Sequence, residues 1–304
     1  MEWSVIILSI LGLCIFEIVS SLDNAVVNAD VLSTMSVKWR KWFLVWGIFF
    51  GVFLVRGTLP WIIVWAANPS LGPWGALVSS FSNDPQVVES LKQSAPFLLM
   101  GGGLFLVFLF FHWLFLEPKN FGLPFERFVS RQGAWFYAIV SVILTVVVWL
   151  SSKEHPMMPF AASIGASAFF ITHGFKEHAA RVEVEMKENK DMSDVSKLIY
   201  LEVLDATFSI DGVVGAFAFT MSVPIILLGN GLGAIVVREL TIKGVDRIRN
   251  YPYLKNGAMY SILFLGIVMV WEGFGHHVPH WVAPIVTVGV IAFFFFKSQK
   301  TIKI

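Results

Sequence analysis

Charge and sulfur are both scarce in this sequence. Only 14% of residues are Asp, Glu, Lys or Arg, where a soluble domain carries about 25%. That deficit excludes an ordinary solvated surface. The single cysteine, Cys14, excludes an intramolecular disulfide and a cysteine-based metal cage. A net charge of +1 leaves no bulk attraction for nucleic acid. Residues 1–16 contain no Lys or Arg, so the basic region that opens a secretory signal is missing. The apolar run there also carries Glu17 and Asp23, and it reads as a retained first span.

Apolar residues fill the place of charge. They make up 56% of the chain, and the mean hydropathy is +0.73. A membrane span needs about 17–25 mostly apolar residues. On that measure the sequence predicts nine: 5–33, 42–67, 95–116, 134–150, 157–175, 198–219, 223–241, 258–272 and 281–296. The fifth is rich in small residues, which suits close helix packing. Segments 34–41, 117–133, 176–197, 242–256 and 297–304 hold 18 of the 22 Lys and Arg, against only Lys92 and Lys153 on the opposite side. By the positive-inside rule the N-terminus lies outside and the C-terminus in the cytoplasm. The densely charged stretch 176–197 reads as a solvated connector with helical character. Residues 68–94 read as a long outer loop.

Two segments repeat. Glu17-Ile-Val-Ser-Ser21-Leu-Asp23-Asn24 and Asp205-Ala-Thr-Phe-Ser209-Ile-Asp211-Gly212 share an acid, a serine and an aspartate at the same spacing. Each is followed by Gly-x-x-x-x-Arg, as Gly51 to Arg56 and Gly233 to Arg238. The first span runs inward and the sixth outward, so the expected fold is an all-α transmembrane bundle built as an inverted repeat. Such repeats place substrate sites near the midplane on broken helices. The expected organisation is a first repeat over 1–116, linking spans and the charged segment over 117–197, and a second repeat with the tail over 198–304.

A carboxylate inside a span costs at least ~2.5–3.5 kcal/mol. Glu17, Asp23, Asp205 and Asp211 must therefore be protonated, paired or wet. On an ideal helix Glu17 and Ser21 share a face, whereas Asp23 points elsewhere. Convergence on one ion requires unwinding near the aspartates, which Asn24 and Gly212 tolerate. The expected metal ligands are Glu17, Ser21, Asp23, Asn24, Asp205, Ser209 and Asp211. Arg56 and Arg238 read as countercharges, with Glu202 one turn before Asp205. These hard oxygen donors suit magnesium, calcium or manganese.

The histidines carry less. His276, His277 and His280 fall in an outer, interfacial loop, and His112 reads as a residue satisfied by a neighbouring helix. The run Gly229-Asn-Gly-Leu-Gly233 has no strand before it and reads as helix packing or a helix break, not a phosphate loop.

The two acidic motifs, with Tyr253-Leu-Lys255-x-Gly257, resemble the TerC family of membrane proteins. That resemblance implies a bacterial inner-membrane protein, Glu17, Asp23, Asp205 and Asp211 as its intramembrane acids, and manganese efflux. The expected function is export of a hard divalent cation, manganese first, in exchange for protons, with lipid, the cation and protons as partners. The alternative is a non-transporting scaffold or a metal or stress sensor of the tellurium-resistance type. No enzymatic activity is expected, and no cofactor beyond the transported ion.

Overall fold

The computed structural model describes residues 3–50, 56–67, 69–79, 85–119, 121–188, 193–243 and 251–302. Among them there is no strand. The helices are α1 (Trp3–Ser20), α2 (Leu22–Ser33), α3 (Val37–Ile48), α4 (Arg56–Ala67), α5 (Gly72–Ser79), α6 (Pro85–Leu116), α7 (Pro124–Ser130), α8 (Trp135–Ser151), α9 (Met158–Glu188), α10 (Asp194–Ala216), α11 (Val223–Lys243), α12 (Leu254–Gly273) and α13 (Val282–Ile302). Part of the expected outer loop is therefore helical, since α5 and the first turns of α6 occupy it.

Among the described residues each predicted span falls largely on helix, but not every such helix is apolar enough to cross a bilayer. By length and composition five described helices are: Trp3–Ser20, Gln93–Leu116, Val223–Thr241, Leu254–Gly273 and Val282–Thr301. The bent pair α7 and α8, meeting at 97°, makes a sixth. The expected nine is thus reduced to five or six that stand on composition. The physical reason is visible in α10, which carries Asp194, Lys197, Glu202, Asp205 and Asp211 along 23 residues. The outer faces support a bilayer setting. Ile7, Leu11, Val142, Phe160, Ile171, Val203, Ile267 and Phe293 are all exposed, and apolar side chains spread so widely suit lipid better than water. The chain is a multi-pass membrane protein.

Glycines set the closest approaches. A methyl group added at Gly229 would sit 2.5 Å from Leu13 Cβ, and one at Gly233 would sit 2.6 Å from Glu17 Cβ. The Gly229 run is therefore a packing seam of α11 on α1, inside an unbroken helix. Gly101 meets the Ala161 carbonyl, so the small residues of α9 lie against α6. Gly103 and Gly266 make the same kind of contact between α6 and α12, each against the other's carbonyl. In membranes such small-residue seams let backbones approach and gain dispersion contact.

Contacts also fix direction. Thr34 reaches Lys197 and Ser36 reaches Asp194, whereas Phe16 lies against Phe219. The α1–α2 segment and α10 therefore run antiparallel.

The expected helix breaks are half present. Ser21 interrupts α1 and α2, yet its N–H still donates to Glu17 O at 3.1 Å. The second motif is not broken, because α10 continues through Asp211 and Gly212. Within a span an unwound turn leaves backbone groups without partners. Gly212 serves a different need, described next.

Candidate intramembrane ion-pair site

Glu17, at the end of α1, is 1% exposed. Its Oε1 accepts from Ser21 Oγ at 2.8 Å, from Arg56 Nη2 at 2.7 Å and from Arg56 Nε at 3.1 Å. Arg56 opens α4, and its Nη1 reaches Asp205 Oδ2 on α10 at 3.4 Å. One guanidinium thus joins the first acids of the two repeated motifs. Glu17 Oε2 is buried and has no hydrogen-bond partner among the described residues. It faces Gly212, where a methyl group would stand 2.5 Å away. Glycine at this point of the second motif makes room for the carboxylate of the first.

A second pair lies one turn earlier on α10. Arg238 Nη2 donates to Glu202 Oε1 at 3.4 Å and to the Phe43 carbonyl at 3.2 Å, and its guanidinium lies 3.9 Å from the Phe43 ring centroid. Arg56, Asp205, Arg238, Asn28 and Phe43 help to line a small cavity of about 20 Å³, room for roughly one water. Asn28 Oδ1 is buried and unpartnered among the described residues, an acceptor oxygen that sequence reasoning passed over.

The remaining expected ligands are placed as follows. Ser209 Oγ donates to the Asp205 carbonyl at 2.6 Å, so its hydroxyl is turned to its own helix. Asp211 does not join Arg56. Its Oδ2 takes Lys176 of α9 at 2.5 Å, and its Oδ1 is buried without a partner among the described residues. On an uninterrupted helix, six residues rotate Asp211 about 240° from Asp205, which accounts for the separation. Lys176 was read only as part of a solvated connector. The side chains of Asp23 and Asn24, and the whole of Gly51, lie outside the described residues.

Outside the spans, one group is strongly perturbed. Burial pushes the Lys119 amine down to about 8, partly offset by Glu117. Its Nζ lies 3.7 Å from the Trp113 ring centroid and donates to the Trp113 carbonyl. At the opposite end of α6, His276, His277, His280 and Glu272 line a cavity of about 270 Å³, with His276 stacked on Trp271.

Comparison with known proteins corrects the family resemblance. A family model described as "Protein of unknown function (DUF475)" matches residues 22–303, in place of the TerC family suggested by the motifs. The manganese assignment that came with that resemblance goes with it. The chain is also 30% identical over 95 residues to "Uncharacterized membrane protein YceF" of Bacillus subtilis (strain 168). That stretch is 31% of this chain and 37% of the relative. No solved structure matches the chain.

Proposed function

The chain belongs to the DUF475 family, and on that premise we propose that it is a membrane transporter moving a hard divalent cation in exchange for protons. The observation that carries this reading is the Glu17 carboxylate, buried among helices with one oxygen bound to Arg56 and the other open toward Gly212. A half-coordinated buried carboxylate is costly, and a cation or proton relieves it. Arg56 acts as a tethered cation that balances Glu17 and Asp205 between transport events. An entering divalent ion takes the same oxygens and displaces the guanidinium. Where a carboxylate of the site holds a proton instead of Arg56, metal entry releases that proton, and acid in turn releases the metal. The donors are oxygens, which suit magnesium, calcium or manganese.

The helix pairing supports an inverted repeat. α1 packs on α11 as α4 packs on α10, α1 on α12 as α10 on α6, and α13 on α12 and α1 as α9 on α6 and α10. These pairings interchange under a two-fold operation that swaps α1 with α10, α4 with α11, α6 with α12 and α9 with α13. The axis passes between α6 and α12, where Gly103 and Gly266 meet reciprocally. Opposed α1 and α10 agree with an axis in the membrane plane.

One observation favours a second reading. The ion pairs of Arg56 also suit a static, non-transporting membrane scaffold. Purified protein in liposomes carrying a pH-sensitive dye separates the two, tested with manganese, calcium, magnesium and zinc. A transporter moves metal with opposite proton flow and loses both in Glu17→Gln and Asp205→Asn. Absence of flux for every ion supports the scaffold. Metal flux without proton counterflow refutes exchange.

A further inference from the structure

His112, His173 and Glu177 come together away from the Glu17 cluster, on α6 and α9. His112 is 7% exposed, and its ring centroid lies 3.6 Å from that of His173. His173 Nε2 stands 3.4 Å from Glu177 Oε1, four residues on along α9. One donor atom from each of the three lies within 4.8 Å of the others, the only such group of three among the described residues. We infer that His112, His173 and Glu177 form a binding site for a borderline divalent metal of the zinc and cobalt class, distinct from the hard-cation site proposed at Glu17.

Geometry argues first. Zinc bonds to nitrogen and oxygen are about 2.0–2.2 Å long, so two donors at the tetrahedral angle lie roughly 3.4 Å apart. The separation of His173 Nε2 and Glu177 Oε1 already has that value. The i, i+4 spacing puts both donors on one helix face, and His112 closes the triangle from α6. Closing the two edges to His112, now no longer than 4.8 Å, to that same value completes three protein ligands and leaves a fourth position for water.

The surroundings argue second. His173 Nε2 is buried and makes no geometrically acceptable hydrogen bond among the described residues, despite the nearby carboxylate. Two imidazoles this close cannot both carry a proton charge without strong repulsion, and neutral imidazole is the ligating form. The rings are held by aromatic walls. Phe169 stacks on His173 at 5.6 Å, and Phe136 meets His112 edge-on at 5.5 Å. Lys176, between the two α9 ligands, is held in an ion pair with Asp211. Imidazole nitrogens select zinc, cobalt or nickel over magnesium and calcium. A bound metal pins α9 to α6 where the charged segment begins.

The test uses the purified full chain in detergent, stripped of metal and titrated with Co²⁺ while its visible absorption is followed. One Co²⁺ per chain with nitrogen-ligand bands, displaced by Zn²⁺, is expected. His173→Ala should abolish the bands. Glu177→Gln, at a largely exposed position, should weaken binding by about tenfold or more without disturbing the fold, the scale seen when metal-site partners are lost. Glu17→Gln should leave the bands unchanged. The inference is overturned if no bands appear, or if they survive His173→Ala and Glu177→Gln. It is also overturned if Glu17→Gln removes them. That last result places cobalt at the acidic cluster and leaves the transport reading standing.

Discussion

Replacing Arg56 by glutamine tests the ion-pair site most directly. The substitution removes the guanidinium that binds Glu17 at 2.7 and 3.1 Å and Asp205 at 3.4 Å. Arg56 and Glu17 are 4% and 1% exposed, so solvent gives little compensation. Breaking a buried pair by deleting one partner costs about 3–5 kcal/mol. At about 2–3 °C per kcal/mol for a chain of this size, the melting temperature in detergent should fall by roughly 6–15 °C. The loss comes from the stranded carboxylates, so removing them should restore stability. Glu17→Gln/Arg56→Gln should recover part of it, with a coupling of about 1–3 kcal/mol. Adding Asp205→Asn should recover more. If the carboxylates accept a divalent cation in place of arginine, saturating metal should rescue the single variant. A ligand at 100 times its Kd contributes about 2.7 kcal/mol. Thermal unfolding of the single, double and triple variants, with and without manganese, calcium or magnesium, measures all of this. An Arg56→Gln protein that melts like the parent refutes the energetic role of the pair. Strictly additive effects of Arg56→Gln and Glu17→Gln refute their coupling, and no rescue by any ion counts against displacement of the guanidinium.

Other expectations follow from neighbouring geometry. Gly212→Ala places a methyl group 2.5 Å from Glu17 Oε2 and should cost about 1–3 kcal/mol by overpacking, while Ala at exposed Gly174, which meets no neighbour within 4 Å, should be tolerated; thermal unfolding compares them. Asp211→Asn removes the charge that holds Lys176 and should abolish metal flux while membrane abundance is maintained, because insertion becomes easier. Unchanged flux would remove Asp211 from the pathway. Lys119, with its amine pushed down to about 8, should acylate with a midpoint near that pH, read by mass spectrometry, whereas an ordinary lysine titrates near 10.4. Its folded-state pKa lies below the unfolded value of 10.5. The folded chain therefore binds fewer protons between about pH 8 and 10.5, and Lys119 makes stability rise with pH across that window. A midpoint near 10 would contradict the burial of this amine.

Much of this protein is determined by local sequence. Hydropathy suffices to locate the long apolar helices, since an apolar stretch of span length has few alternatives in a bilayer. The paired motifs mark Glu17, Asp205, Arg56 and Arg238 because charge inside a span requires a partner. Which partner was not legible. Arg56 was expected only as a general countercharge, and its joint hold on Glu17 and Asp205 arises because α1, α4 and α10 meet at one depth. Gly212 looked like a helix breaker, but only the packed position of α1 shows that it makes room for Glu17 Oε2. Family membership was misread for a related reason: a short acidic motif reports chemistry shared by many membrane folds, while the family match extends over residues 22–303. His112 and His173 lie 61 positions apart in sequence, and no periodicity links them. Their rings meet because Gly101 lets α9 approach the α6 backbone two to three turns earlier. Helix formation and charge burial are decided by residues close along the chain, and sequence determines them. The meeting of donor atoms depends on interhelical distances and rotations, which only the packed bundle decides.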